Sequence, residues 1–150
     1  MSLKVRGNLV IGEAGGATAV INASMVGAFE AARDDDRVEG IYGMRFGSEG
    51  LLREDLIDLR RQPASLWPRL RNTPSAAPGS SVYKLKDTDM QRMVEILRRY
   101  NIRYVVYIGG GGSARTVHSL VQAAQRDGYE LYAISVPKTI DNDLPPDWWN

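Results

Sequence analysis

The sequence has no cysteine and a single histidine among its 150 residues. The lack of cysteine excludes a disulfide scaffold, thiol redox chemistry and thiolate metal sites. His118 alone cannot build a histidine-rich zinc site. The chemistry left to the chain is that of carboxylates, hydroxyls, amines and the backbone.

The chain also lacks a charge excess and a long apolar run. Its 19 Lys and Arg residues against 18 Asp and Glu residues give a formal net charge of +1, which argues against nucleic acid or a membrane surface as partners. The longest apolar runs, such as residues 104–108, have the length of a strand, and no signal-type apolar stretch follows Lys4 and Arg6. We expect a cytoplasmic protein that binds any anion locally.

What is present is the composition of one globular domain, with 43% apolar residues, 25% charged residues and 15 glycines. Apolar spacing predicts strands at residues 8–11, 40–44, 103–108 and 129–136. It predicts helices at residues 19–32, around 51–59, from an N-cap at Asp87 or Thr88 to about Tyr100, and around 117–128. Residues 61–82, with four prolines, are predicted to form a long loop.

Strands and helices alternate in this pattern throughout the chain. The last two predicted strands are apolar without a polar alternation, which is typical of a sheet covered by helices on both faces. The sequence therefore predicts an α/β fold in which a parallel sheet is flanked by helices in a Rossmann-like arrangement.

Three loops are expected at the edge of the sheet where parallel strands end and ligands collect. Two are rich in glycine and connect a strand to a helix, so their backbone N–H groups can approach a phosphate. The candidate phosphate-binding residues in these two loops are Gly15, Gly16, Thr18, Gly110, Gly111, Gly112 and Ser113. The third loop carries the candidate catalytic residues Lys138, Thr139, Asp141 and Asp143.

Each loop alone has a plainer interpretation as a tight turn, an Asx turn or a solvated lysine. Together, two anion cradles, a lysine and two carboxylates are the equipment of phosphoryl transfer, because one carboxylate can accept a proton and another can bind Mg²⁺. A phosphate-binding domain without chemistry remains the alternative.

Two other nucleotide-binding classes match the sequence less well. The glycine loops lack the Gly-Lys-Ser/Thr of a P-loop. The pattern Gly109-x-Gly111-x-x-Ala114 fits a dinucleotide fingerprint, but the acidic residue expected at the end of the next strand is absent, because Glu130 lies near its beginning. A nicotinamide-dependent enzyme is therefore disfavoured.

Five segments, taken in chain order, carry a further signal: Gly15–Asn22, Gly40–Gly43, Gly79–Leu85, Gly109–Ser113 and Pro137–Asp143. In this order the chain resembles the 6-phosphofructokinase family, and it is most similar to the pyrophosphate-dependent branch. The resemblance extends from about Asn8 to Pro145, and the string Lys-Thr-Ile-Asp-Asn-Asp is highly specific to that family.

The resemblance implies a phosphofructokinase-type N-terminal domain that acts in glycolysis, transferring phosphoryl from pyrophosphate or ATP to the 1-hydroxyl of fructose 6-phosphate. It implies that Asp141 is the base, and that Asp143 supports it and the Mg²⁺ site. Thr139 would contact the sugar phosphate and Lys138 would neutralise the transferred group. The glycine-loop residues would cradle the donor.

The chain departs from the family pattern at several of these positions. Gly111 stands where an acid or asparagine usually anchors magnesium, and Val82 stands where an arginine grips the transferred phosphate. Gly112 leaves room for a nucleotide, which favours ATP, and Ala17 replaces a common proline.

The family's sugar-phosphate groups come largely from sequence beyond Asp143. We therefore expect residues 1–150 to be a truncated donor-binding domain with low or absent activity by itself. The sheet that ends at residues 129–136 would leave an apolar edge, so a homo-oligomer or a partner chain is expected. The alternative is an inactive homologue or non-catalytic binding module that pairs with another chain.

Overall fold

The computed structural model describes residues 5–139. Its elements in chain order are β1 (Gly7–Glu13), α1 (Ile21–Arg33), β2 (Val38–Met44), α2 (Gly47–Leu52), β3 (Leu56–Asp58), α3 (Leu66–Arg71), α4 (Asp87–Arg99), β4 (Ile102–Gly109), α5 (Gly111–Arg126) and β5 (Tyr132–Pro137). None of the helices in this range is both long enough and apolar enough to cross a membrane.

The strands form one five-stranded sheet in the order β3-β2-β1-β4-β5. β1 pairs in parallel with β2 and β4, and β4 pairs in parallel with β5. β3 lies at the edge and pairs antiparallel with β2. The predicted α/β sheet flanked by helices is confirmed, with one antiparallel edge strand added to its parallel core.

Helices cover both faces of the sheet, as the apolar strands predicted. Leu9 and Ile11 of β1 pack in a cluster with α1 and α3, whereas Val10 packs in a second cluster with α2, α4 and α5. This division follows from the alternation of side chains along a strand. Successive residues at the carboxyl end of β1 therefore face different helices.

The prediction of a helix around residues 51–59 is wrong beyond Leu52, where α2 ends. Glu54 has φ of 59°, in the left-handed region, so the helix cannot continue through it. Residues 56–58 then pair antiparallel with residues 42–44. A glutamate in this conformation is uncommon, and the sequence contains no glycine there to mark the turn.

The predicted long loop at residues 61–82 contains the short helix α3. Trp67 of α3 stacks on Phe29 of α1, with ring centroids 3.8 Å apart and an interplanar angle of 12°. Burial of these two rings stabilises a helix whose sequence, interrupted by Pro68, shows no clear helical periodicity. Tertiary packing therefore decides the structure of this segment.

Two predicted boundaries also differ. α4 has Lys86 at its N-cap position rather than Asp87 or Thr88, and the side chain of Asp89 accepts a hydrogen bond from the Lys86 N–H at 2.8 Å. β1 continues through Gly12 to Glu13, two residues beyond the strand predicted at residues 8–11. This longer strand fixes the direction of the Glu13 side chain.

Gly50→Ala is expected to destabilise the fold by about 3 kcal/mol or more. A Cβ at this position would lie 1.5 Å from the carbonyl oxygen of Arg45, so the backbone would have to move. Gly27→Ala in the interior of α1 is the matched control, because its Cβ would meet nothing within 4 Å, and it is expected to stabilise by up to about 1 kcal/mol. Urea denaturation of both variants checks this, and equal stabilities would contradict it.

Candidate functional site

A cleft of about 610 Å³ opens at the carboxyl edge of the sheet, where the three loops singled out in the sequence meet. Eight of the predicted site residues line it: Gly15, Gly16, Gly110, Gly111, Gly112, Ser113, Lys138 and Thr139. The structure therefore brings most of the sequence-predicted residues to one place. Asp141 and Asp143 lie outside the described residues.

The first glycine loop connects β1 to α1 and contacts Ser80 and Ser81 in the loop before α4. Gly15 has φ of 76°, a conformation that favours glycine. Its carbonyl accepts a hydrogen bond from the Ser80 hydroxyl at 2.7 Å, and Ala14 forms an isolated parallel bridge with Ser81. These contacts fix the backbone of the loop where it borders the cleft.

Thr18 is not among the residues that line the cleft. Its hydroxyl oxygen instead accepts a hydrogen bond from the N–H of Val20 at 3.3 Å, just before α1 begins. The structure thus places Thr18 in the turn that leads into the helix.

The second glycine loop leads directly from β4 into the first turn of α5. Gly110 is the N-cap of this 16-residue helix, which has no side-chain cap. The first N–H groups of a helix lack intrahelical partners and lie at the positive end of its dipole. A Cβ on Gly111 or Gly112 would meet nothing within 4 Å, so open space adjoins these two residues.

Position 109 requires glycine because the Ser113 side chain approaches its backbone closely. A Cβ at position 109 would lie 2.1 Å from the Ser113 hydroxyl oxygen. Ser113 is itself buried, at 7% exposure. The glycines of this loop therefore serve both to pack the helix against the strand and to leave its N-terminus open.

Lys138 connects the three loops. It follows β5, and its backbone N–H donates to the carbonyl of Gly109 at 3.0 Å. Its Nζ donates to the carbonyl of Gly16 at 2.5 Å, and the residue is only 6% exposed. An ammonium group is thus fixed between the two glycine loops, which is the strongest feature of the site.

The cleft is lined by further cations that no sequence motif marked as functional. Lys84, Lys86 and Arg115 surround it together with Lys138, and none of the four forms an ion pair within residues 5–139. Asp87 is the one carboxylate among the described lining residues. The local charge is therefore positive, although the net charge of the chain is close to zero.

Glu13 is a buried carboxyl group at the end of β1, next to the first glycine loop. It is 0% exposed, and neither carboxyl oxygen has a hydrogen-bond partner within the part of the chain that the structure describes. Burial raises the pKa of Glu13 to about 8, and the nearby Lys138 ammonium opposes this rise. Glu13 follows Leu9 and Ile11 in the alternation of side chains along the strand. This position was the signal in the sequence that could have identified Glu13 as an inward-facing residue.

The described residues do not form a magnesium site. No group of three or more His, Cys, Asp or Glu side chains within residues 5–139 could hold a metal ion. Gly111 contributes only backbone next to open space, and Mg²⁺ prefers carboxylate and phosphate oxygens.

Comparison with known proteins agrees with this arrangement. The Phosphofructokinase family model matches residues 8–147. The chain is similar to the pyrophosphate–fructose 6-phosphate 1-phosphotransferase of Halomonas elongata, with 46% identity over 144 residues, covering 92% of this chain and 34% of that relative. It is also similar to an ATP-dependent 6-phosphofructokinase of Trypanosoma cruzi, with 32% identity over 111 residues, covering 72% of this chain and 22% of that relative.

The fold has a similar counterpart among solved structures. The pyrophosphate-dependent phosphofructokinase from Nitrosospira multiformis superposes with a TM-score of 0.87 and 44% sequence identity, covering 93% of this chain and 35% of that one. The chain thus spans about a third of the length of the pyrophosphate-dependent relatives that it matches. By the family match and by these likenesses, the chain belongs to the phosphofructokinase family.

Proposed function

We propose that this chain is the donor-binding part of a phosphotransferase that moves a phosphoryl group from pyrophosphate or ATP to the 1-hydroxyl of fructose 6-phosphate. The observation that carries the proposal is the Lys138 ammonium, which donates to Gly16 in one glycine loop. The same residue is anchored through its backbone to Gly109, at the start of the other loop. A di- or triphosphate chain between these loops would meet a buried cation and a helix N-terminus.

The remaining roles come from the family pattern. Asp141 would accept the proton of the attacking sugar hydroxyl, and Asp143 would support that aspartate and contact a metal. Thr139 would contact the sugar phosphate. Lys138 would neutralise charge on the transferred phosphoryl group.

A Cβ on Gly112 would meet nothing within 4 Å, and this open position favours a donor larger than pyrophosphate. The described cleft residues do not fit a magnesium site, and Asp143 is the proposed contact for the metal. The proposed donor classes are therefore pyrophosphate and ATP, as in the names of the relatives.

A non-catalytic phosphate- or nucleotide-binding module is the second candidate. Val82 lines the cleft and is 86% exposed, where the family carries an arginine that grips phosphate. Valine can neither pair with nor hydrogen-bond an anion. This substitution and the glycine at position 111 weaken the case for chemistry without weakening the case for binding.

Titration calorimetry with pyrophosphate and with ATP, each with and without Mg²⁺, tests the proposal and separates the two candidates. The phosphotransferase predicts donor binding that depends on magnesium and weakens in Asp141→Asn and Asp143→Asn. A simple binding module predicts a donor affinity that does not change with magnesium or with either aspartate substitution. An absence of binding by either donor would contradict both candidates.

We also propose that residues 1–150 form a single donor-binding domain of a longer cytoplasmic enzyme and associate with a second copy or a partner chain. β5 is an edge strand whose Ile134 is 63% exposed. The family's sugar-phosphate groups would come from outside this chain, so formation of fructose 1,6-bisphosphate by the chain alone is expected to be low or absent. Turnover at ordinary enzyme rates, or a monomer by light scattering at high concentration, would contradict these expectations.

A further inference from the structure

Glu13 is a fully buried carboxyl group at the end of β1, next to the glycine loop that borders the cleft. Its carboxyl is fully buried and has no hydrogen-bond partner among residues 5–139. An unpaired buried carboxyl lowers the stability of the folded state, and no hydrogen bond in the described chain compensates for that cost. We propose that Glu13 is a positioning residue whose protonation state sets whether the Lys138 ammonium is available to an anion in the cleft. This rests on the proposed function, in which the cleft binds a phosphoryl donor.

The strand geometry places the two groups on the same face of the sheet. Glu13 lies two residues after Ile11, and Lys138 lies two residues after Val136. Ile11 belongs to the apolar cluster beneath α1, and the partly buried Val136 packs against that cluster. Because side chains two residues apart share a face, Glu13 and Lys138 both lie on the α1 side, and the Lys138 charge acts on the Glu13 carboxyl.

Lys138 is the charge that acts on Glu13 within the described chain. At its N-terminal end α1 contributes buried Ile21 and Met25 and the neutral Asn22 to this side of the sheet. The charged residues that follow β2 and lie in α2 have partners of their own: Arg45 pairs with Asp55 at 3.5 Å, and Glu49 pairs with Arg53 at 2.6 Å.

The net charge of the Glu13–Lys138 pair depends on whether the Glu13 carboxyl is protonated. With the carboxyl neutral, the ammonium has no counter-charge and can attract an anion between the glycine loops. With the carboxyl ionised, the pair has no net charge, and the carboxylate also repels an incoming phosphate. Burial raises the pKa of Glu13 to about 8, so this change is expected in the mildly alkaline range.

Binding and protonation are then linked. An anion beside Lys138 makes it harder to ionise Glu13, so the bound state holds the Glu13 proton more tightly than the free state. Above the free-state pKa, anion affinity is expected to fall by up to about tenfold per pH unit, with proton uptake on binding. With a neutral amide at position 13, this contribution to the pH dependence of anion affinity is absent.

The test is calorimetric titration of the full chain with inorganic pyrophosphate between pH 6.5 and pH 9.5. Glu13→Gln is compared with wild type, and Glu39→Gln is the control because Glu39 is an exposed glutamate on β2. Pyrophosphate's own ionisation is the same in each titration, so the ratio of affinities isolates residue 13. Glu13→Met is a second neutral variant should the glutamine variant fail to fold.

The expected result is a ratio of variant to wild-type affinity that is constant below about pH 7.5 and rises by up to tenfold per unit above pH 8. Repeating the pH 8.5 titration in buffers with different ionisation enthalpies should show more proton uptake by wild type and Glu39→Gln than by Glu13→Gln. Lys138-dependent binding with the same pH profile in all variants would overturn this inference alone. An absence of pyrophosphate binding to wild type at every pH would overturn the proposed function as well.

Discussion

Replacement of Lys138 by methionine is expected to weaken pyrophosphate binding by about 10- to 100-fold, the factor for losing a hydrogen bond to a charged group. Lys138 is buried and already fixed at Gly16, so its charge is placed before the anion arrives and little side-chain entropy is lost on binding. Methionine keeps much of the aliphatic length and removes the ammonium. Calorimetry at pH 7 with the folded variant measures the change.

Lys84→Met is the matched control for this experiment. Lys84 also lines the cleft, but its side chain is exposed. A solvent-exposed charge is screened and must lose side-chain entropy on binding, so a change of less than about fivefold is expected. Equal losses for the two lysines would show that general charge, and not the placement of Lys138, determines anion binding.

Glu13→Gln is expected to remove a loss of stability that wild type suffers as the pH rises. The pKa of Glu13 is raised from 4.5 to about 8 in the folded chain, so between these values the folded state binds more protons than the unfolded state. The stabilising contribution is then complete below pH 4.5 and is lost as the pH rises to about 8. At about 1.4 kcal/mol per pKa unit the upper limit of this loss is ~5 kcal/mol.

Urea denaturation of wild type and Glu13→Gln at pH 5, 7 and 9 measures this linkage. The stability difference between the variant and wild type should shift steadily in favour of the variant from pH 5 to pH 9. Glu39→Gln, at an exposed position, should track wild type. Parallel pH profiles for wild type and Glu13→Gln would show that Glu13 has an ordinary pKa in the folded chain.

The parallel core of the fold could be predicted from the sequence because its strands are buried and apolar on both faces. The edge strand β3 could not, since its start depends on Glu54 adopting a left-handed conformation that is uncommon for glutamate. α3 was missed for a different reason. Its stability comes from Trp67 stacking on Phe29, a contact between segments far apart in the chain.

The convergence of the loops at one cleft was also predictable, because parallel strands present their carboxyl ends at one edge. The contact between Lys138 and Gly16 was not, because it depends on the direction of one side chain after β5. Glu13 was missed because the glycines around it suggested a loop, whereas β1 continues through it. The roles of Asp141 and Asp143 stay predictions, since both lie outside the described residues.

We propose that the two glycine loops and Lys138 together bind a phosphoryl donor. Titration of the ¹⁵N-labelled chain with pyrophosphate, followed by the backbone amide resonances, tests it most directly. We expect saturable shifts at Gly15, Gly16, Lys138 and the first turn of α5, residues 110–113. Shifts confined to the neighbouring groove between α4 and α5, around Gln91 and Gln122, or no saturable shift at all, would contradict donor binding at the glycine loops.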